Sequence, residues 1–128
     1  MITIQTEFMQ KQCDLGLIGC VGENACRQIV FDCAKALRAF PGADILCIYQ
    51  RPGEGAPYLV PLSGEKGVYT LLLADTDVAL PGFAHMELRA EKGGRIVKSA
   101  YFTGEIAAAL TQPRILSEQG TRHKGGRM

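Results

Sequence analysis

Lys98, Ser99 and Tyr101 stand close together in the stretch GGRIVKSAYFTGEI. Lysine, serine and tyrosine all serve as catalytic side chains in hydrolases and oxidoreductases. Asp75 and Asp77 could hold a cation, His85 could move a proton, and Cys13, Cys20, Cys26, Cys33 and Cys47 could ligate a metal or cross-link. Each role requires a second group within hydrogen-bonding or ligating reach.

Spacing argues against most of these roles. Gly93 and Gly94 signal a turn, and residues 95–103 carry the β-branched and aromatic side chains that suit a strand. Side chains alternate across a strand, so Ile96, Lys98, Ala100 and Phe102 share one face and Val97, Ser99 and Tyr101 the other. Lys98 then cannot act as the base for Ser99. The cysteines are seven, six, seven and fourteen residues apart, odd in number and without a CxxC pair. Zinc ligands are commonly two to four residues apart, often with histidine nearby. His85 and His123 are both distant in the chain. Reduced thiols that pack as small apolar side chains are the expectation, with neither disulfide nor metal.

Calcium loops need several more ordered oxygen ligands than Asp75 and Asp77 supply. A solvated loop, or backbone capping at a strand end, is expected instead. Gly53 and Gly55 weakly resemble a phosphate loop, but Pro57 blocks the helix that such a loop requires. There is no Gly-x-Ser-x-Gly turn, and His85 reads as a surface histidine without a nucleophile to serve. The expectation is a protein without catalytic residues, cofactor or metal.

The elements around these residues read as short strands. Residues 2–6 alternate, and residues 15–21 are apolar and broken by glycine. Residues 25–35 alternate with Ile29, Phe31 and Cys33 on one face, and a short helical turn fits residues 34–40 ahead of Pro41-Gly42. Residues 43–51 are apolar on both faces, as in a central strand. Residues 58–62 contain Pro61 and suit an edge. Residues 63–67 read as a turn into the apolar strand 68–74. In residues 83–90, Ala84, Met86, Leu88 and Ala90 face in, while His85, Glu87 and Arg89 face out. Residues 91–94 make a hairpin turn. Residues 105–110 fit a strand or a helix equally.

Seven or more strands with turn signals about every ten residues predict an all-β protein, an immunoglobulin-like antiparallel β-sandwich over residues 1–110. Ile29, Phe31, Ile45, Cys47, Leu71, Met86, Leu88 and Val97 are its expected core. An extended C-terminal tail follows at residues 111–128. The chain of 128 residues carries 14 basic and 13 acidic side chains, a balance that favours no nucleic acid. No run is long and apolar enough to span a membrane, and residues 1–12 do not resemble a signal peptide. The tail holds Arg114, Arg122, Lys124 and Arg127 against Glu118, leaving a mildly acidic body. Ile115 and Leu116 form its small apolar anchor. Eighteen mostly polar residues cannot offset their ordering entropy, about 1–2 kcal/mol each, without a surface to pack on. A protein-docking arm is expected, with Arg114, Ile115, Leu116, Arg122, Lys124 and Arg127 meeting a neighbouring subunit, either another copy or a different protein.

The punctuation of the chain also follows a known order. Gly22-Glu23-Asn24 turns into RQIVFD, and RPGEGAPY forms a central loop. Asp75 precedes PGFAHMEL, and GGRIVKS follows near the end. This order resembles the N-terminal domain of phage baseplate upper proteins over roughly residues 15–110. The resemblance implies an immunoglobulin-like sandwich in a virion structural protein of the tail or baseplate, without catalytic residues. It implies incorporation into the virion, with other virion subunits as partners. The absence of a signal-peptide pattern points to synthesis in the host cytoplasm, and the basic tail on an acidic body suits contact between copies. A capsid-surface decoration or head-fibre protein has a similar pattern. A carbohydrate-binding sandwich is a further reading, with Tyr49, Tyr58 and Tyr69 as the aromatic candidates in a chain that lacks tryptophan.

Overall fold

The computed structural model describes residues 1–9 and 13–110. Ten strands and one short helix follow in order: β1 (Ile2–Glu7), β2 (Cys13–Cys20), β3 (Arg27–Asp32), α1 (Ala34–Ala39), β4 (Asp44–Gln50), β5 (Tyr58–Val60), β6 (Ser63–Glu65), β7 (Val68–Leu72), β8 (Gly82–Lys92), β9 (Arg95–Lys98) and β10 (Phe102–Ala107). They form a four-stranded sheet in the order β1-β3-β7-β6 and a six-stranded sheet in the order β2-β10-β8-β4-β5, with β9 also on β8. The expected all-β sandwich is the observed architecture.

The pairing is mixed rather than uniformly antiparallel. β1 runs parallel to β3, and β2 runs parallel to β10. The chain crosses from one sheet to the other between β1 and β2 and returns between β2 and β3. With one strand of the opposite sheet between them, β1 and β3 enter their sheet from the same end. Alternation within a strand carries no information about its partner's direction, so the sequence could not anticipate this.

Period-2 patterning places the core between the sheets. Ile29, Phe31, Cys47, Leu71, Met86 and Leu88 are buried as expected, together with Phe8, Ile18, Tyr49, Phe102 and Ile106. Phe31 of the four-stranded sheet and Phe102 of the six-stranded sheet meet edge to face, with ring centroids 5.5 Å apart. Two core expectations need correction. Ile45 is only half-buried, and Val97 is 40 % exposed although it lies opposite buried Ala90. β9 pairs with β8 alone and all four of its residues are exposed, so the core ends before reaching Val97.

Local boundaries also shift. The strand expected at residues 25–35 stops at Asp32, whose Oδ1 accepts the Ala34 N–H at 3.0 Å as the chain turns into α1. The turn expected at residues 63–67 shrinks to Lys66-Gly67, because Ser63–Glu65 pairs with β7 as an edge strand. Residues 105–107 are strand, the end of β10. The hairpin at Gly93-Gly94 is as expected: Lys92 pairs with Arg95, and both glycines adopt positive φ (59° and 79°). A two-residue turn of this hand needs that conformation at both positions.

Candidate interaction surface

The Lys98–Ser99–Tyr101 cluster is organised by an extra residue. Both β9 and β10 pair with the same edge of β8. Lys98 lies opposite Arg89, but Phe102 lies opposite Met86. The two registers differ by one residue, which bulges out between Ser99 and Tyr101 and resets the alternation. Phe102 therefore turns into the core, whereas Ile96 and Lys98, expected on its face, stay on the surface. Ser99 holds the bulge. Its N–H donates to the Leu88 carbonyl at 2.8 Å, and its Oγ accepts the Leu88 N–H and donates to the Ala100 carbonyl, each at 2.8 Å. Lys98 Nζ is 4.0 Å from Glu87 Oε2 rather than beside Ser99.

The bulge leaves Tyr101 69 % exposed on the outer face of the six-stranded sheet, its ring 6.3 Å from that of His85. Thr103 Oγ1 lies 3.5 Å from His85 Nδ1, at the limit of a hydrogen bond. Ile48, Gln50, Pro57, His85, Glu87, Arg89 and Tyr101 line a shallow depression of about 120 Å³. Sites for small organic ligands are commonly ~300–1,000 Å³, so this one suits a single protruding side chain. Glu87 is gripped by Arg89 at 2.7 Å. Phe83, Leu59 and Leu17, all exposed, share this face of the sheet. Apolar and aromatic side chains grouped on an otherwise polar surface are characteristic of a protein contact.

Asp77 is buried rather than solvated. Its Oδ2 accepts the Ala74 N–H at 2.8 Å, and its Oδ1 accepts the Tyr58 hydroxyl at 2.7 Å. Its backbone carbonyl accepts the Tyr49 hydroxyl at 2.8 Å. Burial raises the Tyr58 phenol above its ordinary pKa, and the hydrogen bond to Asp77 and that carboxylate's charge push it further. Burial likewise raises Tyr49, with Asp77 adding to it. The backbone-capping role foreseen for the acid pair is met by both residues, since Asp75 Oδ1 accepts the Thr76 N–H at 2.8 Å. The same geometry removes Tyr49 from any sugar platform, because its ring is wholly buried. Tyr58 and Tyr69 are half-buried against the core.

The five cysteines are unpaired. Cys33 and Cys47 are the buried packing thiols expected, and burial pushes both up to about 12. Cys13 and Cys20 are only half-buried and Cys26 is exposed, so the packing reading does not extend to all five. Among the described residues, no three His, Cys, Asp or Glu side chains converge as metal ligands would. The tail candidates Arg114, Ile115, Leu116, Arg122, Lys124 and Arg127 lie outside the described residues. Sequence reasoning missed the Tyr101–His85 surface because it depends on the bulge. The run Lys98 to Phe102 contains no glycine or proline to signal one.

The chain is similar in structure to the N-terminal domain of phage TP901-1 ORF48, with a TM-score of 0.51 and 14% sequence identity. The match covers 83% of this chain and 97% of that one. At this identity the likeness establishes a shared fold. No protein-family description and no curated protein matches the sequence.

Proposed function

We propose that this protein is a non-enzymatic phage virion structural module of the tail or baseplate, docking on other virion subunits through the outer face of its six-stranded sheet. One observation carries the reading: the sandwich matches nearly the full length of a phage protein's N-terminal domain. The baseplate-like order of turns and strands in the sequence supports the same class independently. The surface supplies a means. Tyr101 and Phe83 are the exposed aromatics of the six-stranded sheet, and aromatic side chains are favoured anchors at protein contacts. The side chains that first suggested chemistry are occupied structurally, Lys98 near Glu87 and Ser99 on the backbone of Leu88 and Ala100.

The test is incorporation. Phages assembled with a Phe83→Ser, Tyr101→Ser double variant should lack the protein in purified particles, while the variant stays folded in the host lysate. Incorporation at the wild-type level would remove this face from the docking role. Absence of the wild-type protein from purified particles would end the virion reading.

A further inference from the structure

We propose that the outer face of the four-stranded sheet receives residues 111–128 of a second copy of this chain. The inference rests on the virion-module reading and specifies one contact within it.

Strand register builds the receiving surface. Glu7 lies opposite Asp32, Asp32 opposite Val68, and Val68 opposite Glu65. Residues paired across a sheet share a face, so three carboxylates and one valine form a single row across all four strands. The next row on that face runs Gln5, Val30, Thr70, Ser63. Gln5, Glu7, Val30, Asp32 and Val68 line an open groove there. Its floor is the half-buried Val30 and the exposed Val68, and its end is acidic. Among the described residues, Lys35 is the one cation within 4 Å of a carboxylate of this row, with Nζ 3.8 Å from Glu7 and both side chains largely in water. Lys66, although next to Glu65, lines a different hollow with Arg38 and Tyr69. On the other sheet Glu87 is already held by Arg89 and approached by Lys98.

The occupant follows from complementarity and reach. Residues 111–128 present Arg114 directly before Ile115-Leu116, then Arg122, Lys124 and Arg127. An apolar pair next to cations fits an apolar floor next to carboxylates. The segment follows Leu110, and the preceding strand ends at Ala107, opposite Cys20 of β2. Glu7 is at the other end of the sandwich: Thr6 Oγ1 touches Cys13 Sγ at 3.3 Å, at the start of β2. Arg114 lies seven residues beyond Ala107. Seven residues span at most about 25 Å. The path from Ala107 to the acidic row must climb the roughly 17 Å length of β1 and round a sandwich edge about 10 Å thick before side chains are added. On its own chain the segment could meet the row only if stretched almost to full length, whereas a neighbouring copy can present Arg114, Ile115 and Leu116 without that stretching. Such a contact is head-to-tail and can repeat around a ring.

Charge-reversed full-length chains test this by sedimentation. The reversed face is Glu7→Lys with Glu65→Lys, sparing Asp32 because its Oδ1 accepts the Ala34 N–H. The reversed tail is Arg114→Glu with Arg122→Glu and Lys124→Glu. Wild-type protein should self-associate, more weakly as salt is added. Each reversed chain alone should associate at least about tenfold more weakly. An equimolar mixture of the two should regain association, because the Lys-bearing face now meets the Glu-bearing tail. Circular dichroism confirms that both variants fold. Wild-type protein that stays monomeric, association that survives face reversal, or a mixture that fails to recover overturns the proposal. A tail held by its own chain gives the first of these results. Particle incorporation separates the two readings. A monomeric wild-type protein found in particles defeats the tail contact alone, and a self-associating protein missing from particles defeats the virion reading alone.

Discussion

The Tyr58 hydroxyl donates to Asp77 Oδ1 at 2.7 Å, tying the edge strand β5 to the loop that leads into β8. Asp77 also fixes the start of that loop through the Ala74 N–H, and Tyr49 reaches its carbonyl from the adjacent strand. One buried residue thus ties β4 and β5 to this loop, through its backbone carbonyl and its carboxylate. Hydrogen bonds to charged groups contribute about 1.5–3 kcal/mol each. Tyr58→Phe should lower unfolding free energy by that order in urea titrations. Asp77→Ala should cost more, because it strands both the phenol and the Ala74 N–H.

Stability should fall in alkali. Cys33 and Cys47 ionise near 9 in an unfolded chain but at about 12 in the fold, because burial penalises the thiolate. Tyr58 and Tyr49 are raised above their ordinary value near 10 for the same first reason. All four are neutral when protonated. Below about pH 9 folded and unfolded chains hold the same protons at these sites, so stability there does not depend on them. As pH rises further the unfolded chain releases protons that the native chain keeps, and the equilibrium shifts toward unfolding. Thermal melts should show Tm dropping from about pH 9 upward, more steeply above 10 where the tyrosines join. A flat profile to pH 11 would contradict the buried placement of these groups.

Leu88 and Val97 should respond differently to the same truncation. Leu88 is wholly buried, so Leu88→Ala should cost about 2–5 kcal/mol. Val97 is 40 % exposed, and Val97→Ala should cost less than about 1 kcal/mol. Equal losses in chemical denaturation would mean that the core extends under β9.

Gly104 should not tolerate a methyl group. A Cβ there would lie 2.6 to 2.9 Å from three side-chain atoms of buried Ile18. Overpacking of this kind costs about 1–3 kcal/mol. Gly104→Ala should lower Tm, and adding Ile18→Val should recover part of the loss by withdrawing one of the clashing atoms.

Several features were legible in the chain because they depend on near neighbours. Alternation in Ala84, Met86, Leu88 and Ala90 identified the inward face of β8. Pro61 marked β5 as an edge, and Gly93-Gly94 marked the hairpin. The separation of Lys98 from Ser99 also followed from a two-residue period.

The surface was less legible. Tyr101 shares its predicted face with Val97 and Ser99, yet the extra residue before β10 moves it beside His85. Asp77 reads as an exposed loop acid until Tyr58 of β5 and Tyr49 of β4 close over it.

By itself the sequence determined most of the strands and turns, the inward faces of several strands and most of the core. Those follow from side-chain periodicity and turn chemistry, which act over a few residues. Tertiary structure alone decided that β1 runs parallel to β3, that Glu7, Asp32 and Glu65 form one row, and that Tyr101 faces His85. Each of these depends on register between strands distant in the chain. Register is fixed by how the two sheets close on a shared core, not by any local pattern.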